Sequence, residues 1–300
     1  MKKLTLLAAA ALCAAPLVAT ANPVLYGRVN INLVNEDVDG GDSTWDLENN
    51  SSRLGVKGSE DLGNGLSAIY QFEFNVDAAD SGALDKGRLS YVGLSGGFGT
   101  FAVGRQWTPY YNTVDKTDVF QVNGMNETYL GPSRVGNAVA YVTPDFSGFS
   151  AAAALIVDGD GSGEDNGEDV DYTNVSLDYA AGPLSVGFSW LRDSAAESDL
   201  YGLGAKYNFG SFALIGQYEN DNDADVSAWA LVAEAYFGNN TLRALYGTID
   251  TDVEDYDHWV LGAEHKLSKR TRLFVEYEDS DGSASSAEHQ RFGVGLRHDF

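Results

Sequence analysis

The strongest constraint on this chain is a two-residue rhythm that begins near Val24 and runs to the last residue. In "LYGRVNINL", Leu25, Gly27, Val29, Ile31 and Leu33 share one face, and Tyr26, Arg28, Asn30 and Asn32 share the other. "LSAIYQFEF" sets Leu66, Ala68, Tyr70, Phe72 and Phe74 against Ser67, Ile69, Gln71 and Glu73. "RFGVGLRHDF" sets Phe292, Val294, Leu296, His298 and Phe300 against Arg291, Gly293, Gly295, Arg297 and Asp299. A period of two is the side-chain period of a β-strand, not of a helix. Counting such runs between Gly, Asn and Asp clusters gives about sixteen strands.

The connections alternate in kind. Short ones fall at 62–64, 96–98, 182–183, 238–240 and 268–270. Long acidic ones include "NEDVDGGDSTWD", "ENDNDAD", "DTDVEDYD" and "EDSDGSASS". Short turns at one end and long loops at the other describe an up-and-down meander, and no shift in composition marks a second domain.

The apolar faces are unusual for a water-soluble meander. Large aromatics gather near strand ends, at Tyr70, Phe74, Tyr179, Trp190, Tyr207, Phe209, Phe237 and Trp259. That placement suits the two headgroup zones of a bilayer. The opposite faces carry Arg, Lys, Glu, Asn and Gly, which are too polar for a packed interior. About sixteen strands closed into a cylinder also leave a lumen too wide for side chains to fill. The pattern therefore predicts apolar faces turned to lipid and polar faces lining water. Closure is required because an open strand edge in hydrocarbon would leave backbone N–H and C=O groups without partners. In "SSRLGVKGSEDLGNGLSAIYQFEF", residues 51–74, Arg53 and Lys57 then face the lumen while Leu54 and Val56 face lipid.

The N-terminus fits export. "MKKLTLLAAAALCAAPLVATA" has two lysines, a short apolar run and a small-x-small ending at Ala19-Thr20-Ala21. It reads as a signal peptide over residues 1–21, with the barrel over 22–300. The apolar run is short for a membrane span. The one cysteine, Cys13, lies within it, so the remainder can form neither disulfides nor thiolate metal sites. The chain carries 44 acidic and 19 basic side chains, a formal charge of −25. That excess argues against nucleic acid as a partner, because phosphates need basic neutralisation.

Four blocks, "SSRLGVKGSEDLGNGLSAIYQFEF", "GRLSYVGLSGGFGTFAVGRQ", "RVGNAVAYVTPDFSGF" and "FGVGLRHDF", resemble the general Gram-negative porins, above all the neisserial and related proteobacterial branch. The resemblance runs from Leu25 to Phe300. It implies an all-β fold, a 16-stranded antiparallel transmembrane β-barrel with an inward-folded third loop, assembled as a homotrimer. In this chain that loop spans residues 107–133, "WTPYYNTVDKTDVFQVNGMNETYLGPS". The Pro-Glu-Phe-Gly-Gly segment of enteric members is missing from it. Phe300 resembles the family's terminal signal for the barrel-assembly machinery. The implied surroundings are outer-membrane lipid and lipopolysaccharide, and the implied cargo is small hydrophilic solutes and ions.

A constriction in such a pore opposes wall cations to loop carboxylates, and the resulting transverse field sorts ions by charge and size. The basic candidates are Arg28, Arg53, Lys57 and Arg88 on early strands, with Arg105 and Arg134 flanking the loop. The acidic candidates are Asp115, Asp118 and Glu127. The strong acidity of the external loops predicts a cation preference, with the arginines working against it. In "DGDGSGEDNGED", Asp158, Asp160, Ser162, Gly163 and Asp169 fall at the spacing of a calcium loop. Asp stands where such loops carry Glu and no helices flank it, so a solvated acidic loop is the plainer reading.

Two other functions compete. A barrel hydrolase would need His beside a nucleophile or an acid, and His258, His265, His289 and His298 show no such grouping. A sugar-specific channel would need aromatics along the lumen wall, whereas most here take the outward parity. No motif calls for a cofactor.

Overall fold

The computed structural model describes residues 23–122, 125, 128–157, 169–282 and 287–300. The first part of the wall is β1 (Val24–Val38), β2 (Thr44–Asn49), β3 (Arg53–Gly63), β4 (Leu66–Val76), β5 (Leu84–Gly96) and β6 (Gly99–Trp107). A short helix α1 (Pro109–Val114) follows, then β7 (Arg134–Val135), β8 (Ala138–Val142) and β9 (Phe149–Ile156). The rest is β10 (Tyr172–Ala181), β11 (Leu184–Asp193), β12 (Ser198–Asn208), β13 (Phe212–Asp221), β14 (Val226–Phe237), β15 (Asn240–Thr251), β16 (Asp255–Lys266), β17 (Thr271–Ser280) and β18 (His289–Asp299). Every strand runs antiparallel to its neighbours in one continuous sheet.

β2 and β3 pair in succession with the two halves of β1, and β7 and β8 do the same with β6. Each pair is therefore one wall strand with a break, and the wall has sixteen strands. The sheet closes where β1 meets β18, from Arg28↔Asp299 to Val38↔His289. At that seam Gly27 and Phe300 exchange both backbone hydrogen bonds, each 3.0 Å long. A side chain on Gly27 would collide with the Phe300 ring, so only glycine leaves room for the terminal aromatic there.

The exposed face is apolar all the way round. Leu25, Leu203, Leu231, Leu261 and Leu296 are all exposed on it. Aromatics stack at its two ends. Tyr207, Phe209 and Phe212 meet beside a short turn, while Trp229–Tyr246 and Trp259–Tyr277 pair toward the long loops. These are the two interfacial girdles of a membrane barrel.

Strict pairing is interrupted at several places, and two of them matter for the pore. Between Ile31↔Asn49 and Arg28↔Arg53 the second strand carries one extra residue, around Ser51, whose φ is 52°. Between Glu73↔Leu89 and Phe74↔Gly87 the extra residue is Arg88. A bulge of this kind re-aims a side chain that simple parity would send the other way.

The described residues from α1 to residue 133 do not lie over the rim. Thr108 caps α1 by accepting from the Tyr111 N–H at 2.9 Å and ties the helix back by donating to the Pro132 carbonyl at 2.7 Å. The segment then touches side chains on β10, β13, β17, β18 and β1. A single stretch can reach such widely separated parts of a closed ring only across its interior. Glycines clear its path: a Cβ at Gly204 would stand 2.6 Å from the carbonyl oxygens of Thr113 and Val114.

This path corrects one expectation. The lumen face was expected to be polar throughout, yet Ile215, Val232, Leu245, Val260 and Phe274 lie on it and are buried. They pack with Phe120, Val122 and Met125 of the crossing segment and with Val34. Where the segment covers the wall, the lumen face becomes a small hydrophobic core, and apolar residues there are as favourable as in any interior.

Candidate functional site

Opposite that covered wall lies an open polar cavity of about 480 Å³. Five guanidinium-bearing residues border it: Arg28 from β1, Arg53 from β3, Arg88 from β5, Arg134 from β7 and Arg297 from β18. Asp115 and Asp118 border it from the crossing segment, together with Trp107, Tyr111 and Tyr129. Cations on the wall therefore face carboxylates on the loop.

The arginines are held by a few specific contacts. Arg28 Nε donates to Asp299 at 3.0 Å across the barrel seam. Arg297 donates to Asp299 and, through Nη1, to the Gln121 side chain of the loop at 3.0 Å. Arg134 lies over the Trp107 ring at 4.5 Å, and Tyr111 stacks on that ring at 4.4 Å. Arg88 is only 5 % exposed, with Nε 2.6 Å from Glu73 and Nη1 3.1 Å from Asn75.

On the loop, Tyr111 donates its hydroxyl proton to Asp118 at 3.2 Å. Asp118 meets lumen water but is walled in by protein. That enclosure pushes its carboxyl above the usual aspartate range, while Tyr111 and the charges of Arg28, Arg53 and Arg297 pull it back.

Two buried wall carboxylates fix the loop's position. Glu276 on β17 accepts the backbone N–H groups of Gln121 and Val122, the latter at 2.7 Å. Glu219 on β13 accepts from the Tyr110 hydroxyl at 3.0 Å and from the Leu130 N–H at 3.2 Å. Thr117 also bonds to Gln217. A carboxylate bonded to backbone N–H groups makes a strong, charge-assisted anchor.

The expected site residues separate into groups. Arg28, Arg53, Arg88, Arg134, Asp115 and Asp118 come together around the cavity. Arg88 reaches it because of the bulge and not by the alternation used to place it. Lys57 does face inward, but its ammonium lies 5.2 Å from the Tyr26 ring, toward the short-turn end and away from the cavity. Arg105 is a correction. It stands opposite Ser90, on the side of exposed Phe72 and Val103, and its Nε donates to the Gly87 carbonyl. Glu127 lies outside the described residues, as do Asp158, Asp160, Ser162 and Gly163. Asp169 is described and exposed, and no group of three potential metal ligands occurs among the described residues. Residues 1–21 are likewise outside them.

Sequence reasoning missed Arg297, Glu73, Glu219 and Glu276. Arg297 was legible, because the last strand's alternation already put it on the polar face. The three glutamates carried no signal beyond parity.

The model of the Gram-negative porin family matches residues 8–285. The chain belongs to the Gram-negative porins. Over its full length it is 30% identical to outer membrane porin protein 32 of Delftia acidovorans, with all of that protein covered. It is 28% identical to major outer membrane protein P.IB of Neisseria gonorrhoeae, covering 98% of this chain and 99% of that one. Among solved structures it superposes on an anion-selective porin from Comamonas acidovorans with a TM-score of 0.80 at 26% identity, covering 93% of this chain and all of that one. A Salmonella typhi OmpF superposes with a TM-score of 0.78 at 18% identity, covering 93% and 97%. As a porin the chain is a passive channel of the outer membrane and not an enzyme.

Proposed function

We propose that this porin is a general diffusion channel for small hydrophilic solutes and ions, and that the arginine-lined cavity facing Asp115 and Asp118 is its constriction. The observation that carries this reading is the crossing segment, pinned by Glu219 and Glu276, which leaves a polar opening bordered by opposed charges. The same proposal includes a signal peptide over 1–21, a homotrimer, lipopolysaccharide at the outer rim and delivery by the barrel-assembly machinery through Phe300.

Ion preference follows from two charge populations that oppose each other. The long connections carry carboxylates at Asp193 and Glu197, at Asp221, Asp223 and Asp225, and at Asp252, Glu254 and Asp255. They concentrate cations at the mouth as far as the screening length allows, about 10 Å at 0.1 M salt and about 3 Å at 1 M. The constriction is locally cationic and acts on ions at close range. The preference is therefore for cations at low salt and fades or inverts at high salt. A second reading, anion selectivity at every salt concentration, is favoured by the arginine group and by the name of the Comamonas porin. Reversal potentials in a planar bilayer, measured across a fixed salt ratio centred on about 0.1 M and again on about 1 M, decide between them. A cation-signed potential that shrinks with salt supports the first reading. An anion-signed potential at both salts establishes the second.

A further inference from the structure

The outer face of the barrel is not uniformly studded with large side chains. Across β14–β16 its outward positions include Ala235, Ala244 and Ala263, paired in register with Leu242, Leu261 and Val275. The small residues leave an apolar groove of about 570 Å³, which Phe212 on β13 closes at one side. The groove lies toward the short-turn end, since Phe212 opens β13 and Leu242 is near the start of β15. In a membrane barrel the short turns face the periplasm, so the groove opens on the periplasmic leaflet.

The strands beyond the groove end in a basic turn. β16 and β17 are joined through Leu267, Ser268, Lys269 and Arg270. Ser268 Oγ accepts from the N–H groups of Arg270 and Thr271 at 3.1 and 3.0 Å, so the tip is held in one conformation. Lys269 and Arg270 are exposed there, and neither makes an ion pair among the described residues. The short turns after β3, β5, β8, β10, β12 and β14 hold no lysine or arginine. Between groove and tip the outward face turns polar. His265 Nδ1 lies 2.7 Å from Asn240 Oδ1, and His298 Nδ1 lies 2.9 Å from Thr271 Oγ1. At about 3.3 Å per residue, Leu267 stands about 13 Å beyond Ala263 along the strand, which places the cations at the level of lipid headgroups.

We propose that the groove and the Lys269–Arg270 turn together form a binding site for an anionic phospholipid of the periplasmic leaflet, with an acyl chain in the groove and the phosphate at the turn. This rests on the membrane-barrel fold and not on the ion preference of the pore. Hydrocarbon fills any groove on this face, so the charge at the rim is what selects the lipid. A second groove of about 360 Å³, beside Phe146, Leu177 and Phe188, provides the contrast. The turns adjoining it, 143–148 and 182–183, carry Asp145 and no cation. Two unpaired cations on a chain of formal charge −25 complement a phosphate, whereas that second groove offers none.

The experiment titrates the purified, folded protein in neutral detergent with phosphatidylglycerol or phosphatidylcholine and counts retained lipids by native mass spectrometry. The wild type retains phosphatidylglycerol in preference to phosphatidylcholine. K269Q/R270Q loses about a factor of five in that preference for each cation removed. A263F fills the groove and lowers retention of both lipids, and A244F does the same if A263F does not fold. The variant K269Q/R270Q/L62K/G97R restores the net charge on other short turns of the same rim and stays as weak as K269Q/R270Q.

Equal retention of the two lipids by the wild type overturns the proposal. So does recovery in the charge-relocated variant, since the attraction would then belong to the whole rim and not to this site. If K269Q/R270Q or A263F instead weakens subunit association in lipid-free detergent, the groove takes a second copy of the chain, and the proposal also fails.

Discussion

The lumen wall of β13–β17 and that of β1–β5 obey the same alternation and end in opposite states. On β13–β17 the inward residues Ile215, Val232, Val260 and Phe274 are buried under the crossing segment, with Glu219 and Glu276 as its anchors. On β1–β5 the inward residues Arg28 and Arg53 border open water. Strand parity decides only which side of the wall a residue occupies. Whether that side is wet or packed is decided by a loop some hundred residues away in sequence, which is a tertiary choice.

That contrast can be broken from its covered side first. Glu276→Ala leaves the N–H groups of Gln121 and Val122 without their acceptor, costing about 3–5 kcal/mol. The expected result is a lower melting temperature in detergent together with noisier and larger open-channel current. A variant with unchanged melting and conductance would mean that the anchor is not needed. Next comes Ile215→Ala, which opens a cavity in the small core and costs about 2–4 kcal/mol. Urea unfolding should show that loss, whereas an inward residue merely facing water would show almost none.

The open side should respond differently. Arg28→Gln gives up a partly exposed ion pair with Asp299 and lowers stability by no more than about 1 kcal/mol. It nevertheless moves the reversal potential toward cations. A large stability loss without a selectivity change would reverse the assignment of the two walls. The smallest effect concerns pH. The Asp118 carboxyl is raised, so it takes up its proton at a higher pH than an ordinary aspartate. Its negative charge is full well above that point and disappears as pH falls. Acidification therefore makes the constriction more positive and moves selectivity toward anions, and D118N removes that part of the pH dependence.

Most of the barrel was readable from sequence because lipid imposes one rule on every outward position. Leu25, Leu203, Leu231 and Phe292 satisfy it, and the strand number follows from them. The site was readable only where the alternation was local and intact. Arg28 and Arg53 could be placed because their flanking residues alternate with them. Arg105 could not, because its partner in register is Ser90, and register is a property of the pairing and not of the strand alone. Arg88 borders the cavity for a reason other than the alternation used to place it, since a one-residue bulge turns it inward. Val232 and Ile215 were the hardest, because an apolar inward residue in a wide barrel makes sense only once the crossing segment is seen to cover it.

The central claim is that the apolar face meets lipid while the middle stays wet, apart from the part the segment fills. Single-channel recording of the purified wild-type protein in a planar bilayer tests this most directly. Discrete insertion steps, with conductance rising nearly in proportion to bulk salt conductivity, are the predicted result. A bilayer that stays silent, or a conductance that saturates at low salt, would contradict a water-filled passage.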